Sequence, residues 1–147
     1  MTDQGHWSGL KVDPMKHFGF VYRIKHLPSG KKYIGRKQIW RSKQNVKGCR
    51  SRVMDISSAK WNEKCWTESD WRNYSGSSKK LLAHIKEHDK DEYTFEVLET
   101  CVSKGELSYC EARAQWDARV LEAKLPNGEY EYFNGNIQAI KFRPKLA

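Results

Sequence analysis

Residues Phe18 to Gly35 read FGFVYRIKHLPSGKKYIG. Two short runs, Gly19-Phe20-Val21-Tyr22 and Tyr33-Ile34-Gly35, flank Leu27-Pro28-Ser29-Gly30. Large apolar or aromatic residues alternate with polar ones in each run, and Pro-Ser-Gly is turn chemistry. The segment therefore predicts a β-hairpin with strands near 18–25 and 31–38. Tyr22 and Tyr33, eleven positions apart, fall on opposite strands. A hairpin of that span can bring their hydroxyls together on one face.

Positive charge gathers in a stretch that begins in the hairpin's second strand. Between Lys31 and Arg52 lie nine basic residues (Lys31, Lys32, Arg36, Lys37, Arg41, Lys43, Lys47, Arg50 and Arg52) and no acidic one. That stretch equals the net charge of the 147-residue chain, +9. A field of that sign favours a polyanion, of which the phosphate backbone is the usual one; the plainer reading is a solubilising basic loop. The region from Ile39 to Trp71, which takes in the second half of this run, mixes Trp40, Trp61, Trp66 and Trp71 with the cations. Such interleaving suits a nucleic-acid contact surface, and equally suits a long loop pinned to the core by its tryptophans. No basic amphipathic helix or long apolar segment points to a membrane. At this length the chain is one domain with a modest core, since 38% of its residues are hydrophobic and 31% charged.

Around this centre, residues 1–17 lack periodicity and read as a flexible arm, followed by a domain over 18–142 with an insertion at about 39–71. Ser77 or Ser78 caps a helix carrying Leu81, Leu82 and Ile85 and ending near His88. Tyr93 to Glu99 reads as a strand with Phe95 and Val97 on one face. Ser103-Lys104-Gly105-Glu106 matches a capping box and opens a helix expected to reach Leu121. A last strand is expected from Ile137 to Phe142. Hairpin, insertion, helix, strand, helix and terminal strand make a small α+β domain with helices on a mainly antiparallel sheet. Cys49, Cys65, Cys101 and Cys110 form no C-x-x-C pair and have no His at ligand spacing, which argues against zinc. With no signal segment in view, free thiols and a cytoplasmic location are expected.

The second helix carries a carboxylate where none is expected. Its apolar stripe falls on Leu107, Ala114, Ala118 and Leu121, and Glu111 lies within it. A buried carboxylate needs a cation or hydrogen-bond partner. Glu111 therefore reads either as a metal ligand facing the hairpin or as a partner of Arg113 or a hairpin lysine. Beside the tyrosines, the metal reading explains more. A divalent cation on a carboxylate neutralises phosphate oxygens and steadies a departing 3′ oxygen, and an oxygen-rich site suits Mg²⁺. Something must also orient or deprotonate the attacking water. A tyrosine of pKa about 10 does so as a base only if positive neighbours such as Lys32, Arg36 or Lys37, together with a nearby metal, favour its phenolate.

With those parts in order, the chain resembles the GIY-YIG nucleases over roughly residues 18–136. Gly19-Phe20-Val21-Tyr22 is a degenerate first half of the signature and Tyr33-Ile34-Gly35 a complete second half. Stretches similar to Glu68-Ser69-Asp70-Trp71, Tyr74-Ser75-Gly76-Ser77-Ser78 and Glu106-Leu107-Ser108-Tyr109-Cys110-Glu111 recur in small phage-type members. The resemblance implies a three-stranded antiparallel sheet with flanking helices and DNA cleavage served by one Mg²⁺ or Mn²⁺. By position it implies that Tyr22 is the base or water-orienting group and that Tyr33 stands beside the water or phosphate. It likewise makes Glu111 the metal ligand and Asn134 a supporting residue.

The family's arginine usually lies about ten residues past the second tyrosine, where this chain has Lys43. Arg36, Arg41 and Arg72 are the candidate replacements, with Arg41 favoured. The usual His or Tyr one turn further on is replaced by Lys47. Phosphate contacts are expected from Lys32, Arg36, Lys37, Lys43, Lys47, Arg50, Arg52 and Arg72. Residues 143–147 leave no room for a separate recognition module, so target recognition is expected from the insertion, the arm or a homodimer, and a phage-encoded chain would act in the host cytoplasm. A binding module of the same fold without efficient chemistry, or an unrelated basic domain, are the competing readings.

Overall fold

The structure, a computed structural model, describes residues 3–43, 47–49 and 53–146. It contains strands β1 (Ser8–Gly9), β2 (Gly19–His26), β3 (Lys32–Gln38), β4 (Trp40–Ser42), β5 (Trp66–Glu68) and β6 (Tyr93–Cys101), and helices α1 (Lys79–Glu87) and α2 (Lys104–Asp117). The main sheet runs β1-β6-β2-β3, and β4 and β5 form a separate two-stranded ribbon. β2 pairs antiparallel with both β3 and β6, while β1 joins β6 in parallel. The three-stranded antiparallel sheet expected from sequence is thus the centre of a mixed four-stranded one.

β2 is the middle of the molecule because both of its faces are covered. Phe20, Val21, Tyr22 and Ile24 are at most 1% exposed. Each such side chain contributes about 1.5–3 kcal/mol by burial. On the Phe20/Tyr22 face sit Trp7 and Trp71, with ring centroids 5.1 Å and 5.9 Å from Phe20. On the other face lies α2, so close that a Cβ on Gly19 would stand 2.5 Å from Leu107 Cδ2. The glycine of the first half-signature is therefore a helix–strand contact point.

Within the arm expected over residues 1–17, the described residues include anchors on the sheet. Trp7 and Val12 are buried, the Trp7 indole N–H donates to the Trp71 carbonyl at 2.6 Å, and β1 extends the sheet. Low periodicity hid this because the arm contributes isolated anchors rather than a regular element. The four insertion tryptophans serve as anchors too: Trp40, Trp66 and Trp71 are buried, and Trp61 stacks on Trp66 at 4.9 Å. Cys49 and Cys65, expected as free thiols, are joined by a disulfide across the insertion; Cys101 and Cys110 are free and buried.

Ser78 caps α1 and Ser103 caps α2, each accepting a backbone N–H with its hydroxyl oxygen. The Glu106 carboxylate accepts from the Val102 N–H, one residue before the cap. α2 stops at Asp117 rather than Leu121 because Arg119 turns left-handed at φ 53°, and Leu121 is exposed. The expected last strand from Ile137 to Phe142 does not form. The tail instead leaves the β3 edge after Asn134, and Gln138 accepts from the Arg36 guanidinium. Among the described residues no helix is long and apolar enough to cross a membrane.

Candidate active-site cleft

A cleft of about 760 Å³ opens beside β3, the last strand of the main sheet. Tyr22, Tyr33, Arg36, Lys37, Arg41, Glu111 and Asn134, all singled out from sequence, line it. They arrive from β2, β3, β4, α2 and the tail.

Register explains the tyrosines. Tyr22 pairs with Gly35 and Tyr33 with Ile24, so the two tyrosines are diagonal neighbours on one face, with ring centroids 6.2 Å apart. The β2–β6 register shifts between Val21 and Tyr22, where Leu98 of β6 is left without a partner. Gly35 leaves the space that the rings fill. A Cβ there would lie 2.5 Å from the Tyr22 hydroxyl oxygen and 2.7 Å from Tyr33 Cε2. The glycine of the second half-signature is thus set by the tyrosines' own volume. Burial pushes the Tyr22 phenol well above its ordinary value, with further contributions from Tyr33, Tyr74 and Glu111. Burial, then the Glu111 charge, raises Tyr33 as well.

The expected phenolate is therefore not favoured by the protein's own charges. The cations invoked for it are engaged elsewhere. Lys32 pairs with Glu131 at 2.5 Å, and Lys37 pairs with Asp70 at 3.0 Å while standing 4.0 Å over the Tyr74 ring. Arg36 donates to Ser108 and Gln138.

α2 reaches the cleft with a polar stripe, Ser108, Glu111 and Gln115, spaced by three and four. Ser108 accepts from Arg36, and Gln115 Nε2 donates to the Ile34 carbonyl at 3.0 Å. Glu111 stands between them, its side chain 14% exposed and its Oε1 3.8 Å from Arg36 Nε. Burial holds this carboxyl above its usual range against the pull of Arg36. A half-buried carboxylate with so long an ion pair has coordination capacity facing the cleft. Arg113, a sequence-level alternative partner, pairs with Glu99 instead.

Asn134 completes the β3 edge. Its Oδ1 accepts from the Ile34 N–H at 3.0 Å and its Nδ2 donates to the Ile34 carbonyl at 2.7 Å. One side-chain amide thereby stands in for a neighbouring strand at the edge residue between Tyr33 and Gly35. The preceding residues carry the same pairing in backbone form, through Lys32 N–H to Glu131 and Phe133 N–H to Lys32.

The remaining cations divide by position. Arg41 is exposed and lines the cleft. Arg72 is outside it, bound to Glu68 and laid over Trp71. Lys43 and Lys47 are exposed away from the cleft wall, and Lys32 is likewise not part of that wall. Arg50 and Arg52 lie outside the described residues. Sequence reasoning missed Tyr74, Ser77, Gln115 and Gln138 as lining residues. Tyr74 and Ser77 were visible only as part of a recurring stretch. Gln115, four residues beyond Glu111 on a helix, was the one a spacing argument could have found.

The chain matches a family model described as "Putative endonuclease segE, GIY-YIG domain" over residues 4–137. No curated protein and no solved structure matches it.

Proposed function

We propose that this chain, which belongs to the GIY-YIG family of endonuclease domains, is a metal-dependent endonuclease that hydrolyses DNA phosphodiester bonds. The observation that carries the reading is convergence. Tyr22, Tyr33, Arg36, Arg41, Glu111 and Asn134, drawn from separate elements, face one cleft beside β3. Chance does not gather a carboxylate, two phenols and two guanidinium groups around a common space without a use for them.

Glu111 fits a hard divalent cation. It offers carboxylate oxygen in a cleft that phenol, hydroxyl and amide groups line together with Arg36, Lys37 and Arg41, and its ion pair with Arg36 is long, at 3.8 Å. Such a donor set suits Mg²⁺ or Mn²⁺ completed by water and phosphate oxygens. When bound, the ion neutralises the scissile phosphate and eases departure of the 3′ oxygen. The buried Tyr22 hydroxyl holds the attacking water by hydrogen bonding, an orienting role that its raised phenol supports better than a basic one. Tyr33, nearer the opening, positions the same water or a phosphate oxygen. Arg41 and Arg36 hold the phosphate, Arg41 from an exposed position and Arg36 from a fixed one. Asn134 is a positioning residue acting through Ile34.

Target selection falls to the basic insertion, or to pairing of two copies, because the amino-terminal segment belongs to the sheet. The test is cleavage of supercoiled plasmid at low salt with Mg²⁺ or EDTA, by wild type, Glu111→Gln and Tyr22→Phe, with DNA binding measured alongside. The proposal expects Mg²⁺-dependent nicking or linearisation, abolished by Glu111→Gln and cut about 10²-fold or more by Tyr22→Phe, with affinity nearly unchanged. Intact, salt-sensitive binding without cleavage by wild type would make this a binding module of the same fold.

A further inference from the structure

Away from the cleft, three imidazoles meet where α1 lies over the far end of the hairpin. His84 and His88, four apart on α1, stack with ring centroids 4.1 Å apart. His26, at the end of β2, stands 4.6 Å from one ring and 4.7 Å from the other. One nitrogen from each can be chosen so that all three lie within 4.8 Å of one another. The sequence argument against zinc considered only spacings around cysteine, and it missed this i, i+4 pair.

We propose that His84, His88 and His26 bind a single divalent transition-metal ion, Zn²⁺ in the first instance, at a structural site that clamps α1 onto the sheet. The hydrogen bonds prepare two of the ligands. His88 Nδ1 faces the His84 carbonyl at 2.8 Å and so carries the proton, leaving the Nε2 lone pair outward. His84 Nδ1 is engaged by the Tyr93 hydroxyl, which leaves its Nε2 as the ligand atom.

His26 is buried and holds Ser29 Oγ and Glu92 Oε1, each at 2.7 Å. It reaches an ion by releasing one of them. Tetrahedral zinc with bonds of about 2.0–2.1 Å needs nitrogens about 3.3 Å apart. The cluster therefore closes by roughly 1–1.5 Å, a movement open to the exposed His88 side chain.

Ligand chemistry separates this site from Glu111, since imidazole selects zinc, nickel or copper and carboxylate oxygen selects magnesium or manganese. The position gives the clamp a purpose. Leu81 is the one fully buried side chain of nine-residue α1, with Ile85 packed partly against the core, so an ion shared with His26 would add a tie between the helix and β2. Its amino-terminal cap, Ser78, lines the catalytic cleft.

The experiment titrates the EDTA-stripped full chain with Co²⁺, read by visible absorption, and with Zn²⁺, read by competition and by thermal unfolding. Wild type, His88→Ala, the His84→Ala/His88→Ala double variant and Glu111→Gln are compared. The proposal expects one equivalent bound, a tetrahedral cobalt spectrum and a higher Tm with Zn²⁺. It expects at least tenfold weaker binding in His88→Ala, none in the double variant, and wild-type binding in Glu111→Gln. His88 is exposed, so its variant tests binding without endangering the fold. Absence of saturable binding, or binding unchanged in the double variant, would overturn the site and leave three rings that only pack and hydrogen-bond. Because Glu111→Gln removes cleavage and spares this site, failure here is distinguishable from failure of the nuclease reading.

Discussion

Replacing Gly35 with alanine tests whether the tyrosine pair is held by the volume of its own surroundings. The new methyl would lie 2.5 Å from the Tyr22 hydroxyl oxygen and 2.7 Å from Tyr33 Cε2. Ordinary contacts are about 3.3 Å and 3.7 Å, so about 1 Å must be found. Tyr22 cannot yield it, being 1% exposed and wedged against Trp7 and Tyr74, with ring centroids 5.0 Å and 6.1 Å away. Tyr33, only partly buried, must swing outward or the β2–β3 pairing must open. Overpacking of this kind costs about 1–3 kcal/mol, or a Tm lower by about 3–10 °C at this chain length. A displacement of about 1 Å at a reacting centre costs about 10²-fold in turnover.

The assay pairs thermal unfolding with plasmid cleavage, at a temperature where the variant remains folded. Gly105→Ala serves as the control. Its Cβ would meet only Phe142, at 3.6 Å, within the first turn of α2, so it should be neutral or stabilising by up to about 1 kcal/mol. Wild-type turnover and an unchanged Tm in Gly35→Ala would refute the argument that the glycine exists to admit both rings.

Other expectations follow from single contacts. Asn134→Ala leaves the Ile34 N–H without its side-chain partner while Gln115 still serves the carbonyl; it should cost about 1–2 kcal/mol in urea unfolding and lower turnover more than DNA affinity. His6, stacked on Phe95 at 3.9 Å, has its pKa lowered to about 4, first by burial and then by Lys90. The unfolded chain therefore takes up a proton before the folded one, and stability present above about pH 6.5 is lost as the pH falls towards 4. After discounting for solvent screening, about 1–2 kcal/mol of that loss should disappear in His6→Gln when urea unfolding of the two proteins is compared across this range. The Cys49–Cys65 disulfide, with a separation of 16 residues, should stabilise by about 2–3 kcal/mol and lower Tm on reduction. Two thiols should titrate in denaturant before reduction and four after it; four without reductant would return these cysteines to the free state.

The local elements of this protein are written in its chain because their causes are local. Alternation and a Pro-Ser-Gly turn make the hairpin, and Ser78 and Ser103 cap the helices where their side chains reach a backbone N–H. The tyrosine pair and the misplaced Glu111 were legible for the same reason, one from strand period and the other from helix period. Pairing between distant segments left no such trace. Trp7 and β1 are tied to residues 64 and 88 positions away, which no period records. Where a last strand was expected, the tail meets β3 through side-chain bonds, Asn134 on Ile34 and Gln138 on Arg36. The cations of the basic run looked alike in sequence. Folding paired Lys32 and Lys37 with Glu131 and Asp70, carried Arg72 outside the cleft and left Arg41 at its mouth. Charge is a property of a residue, but an unspent charge beside a cleft depends on which partners the chain's return brings within a few ångströms.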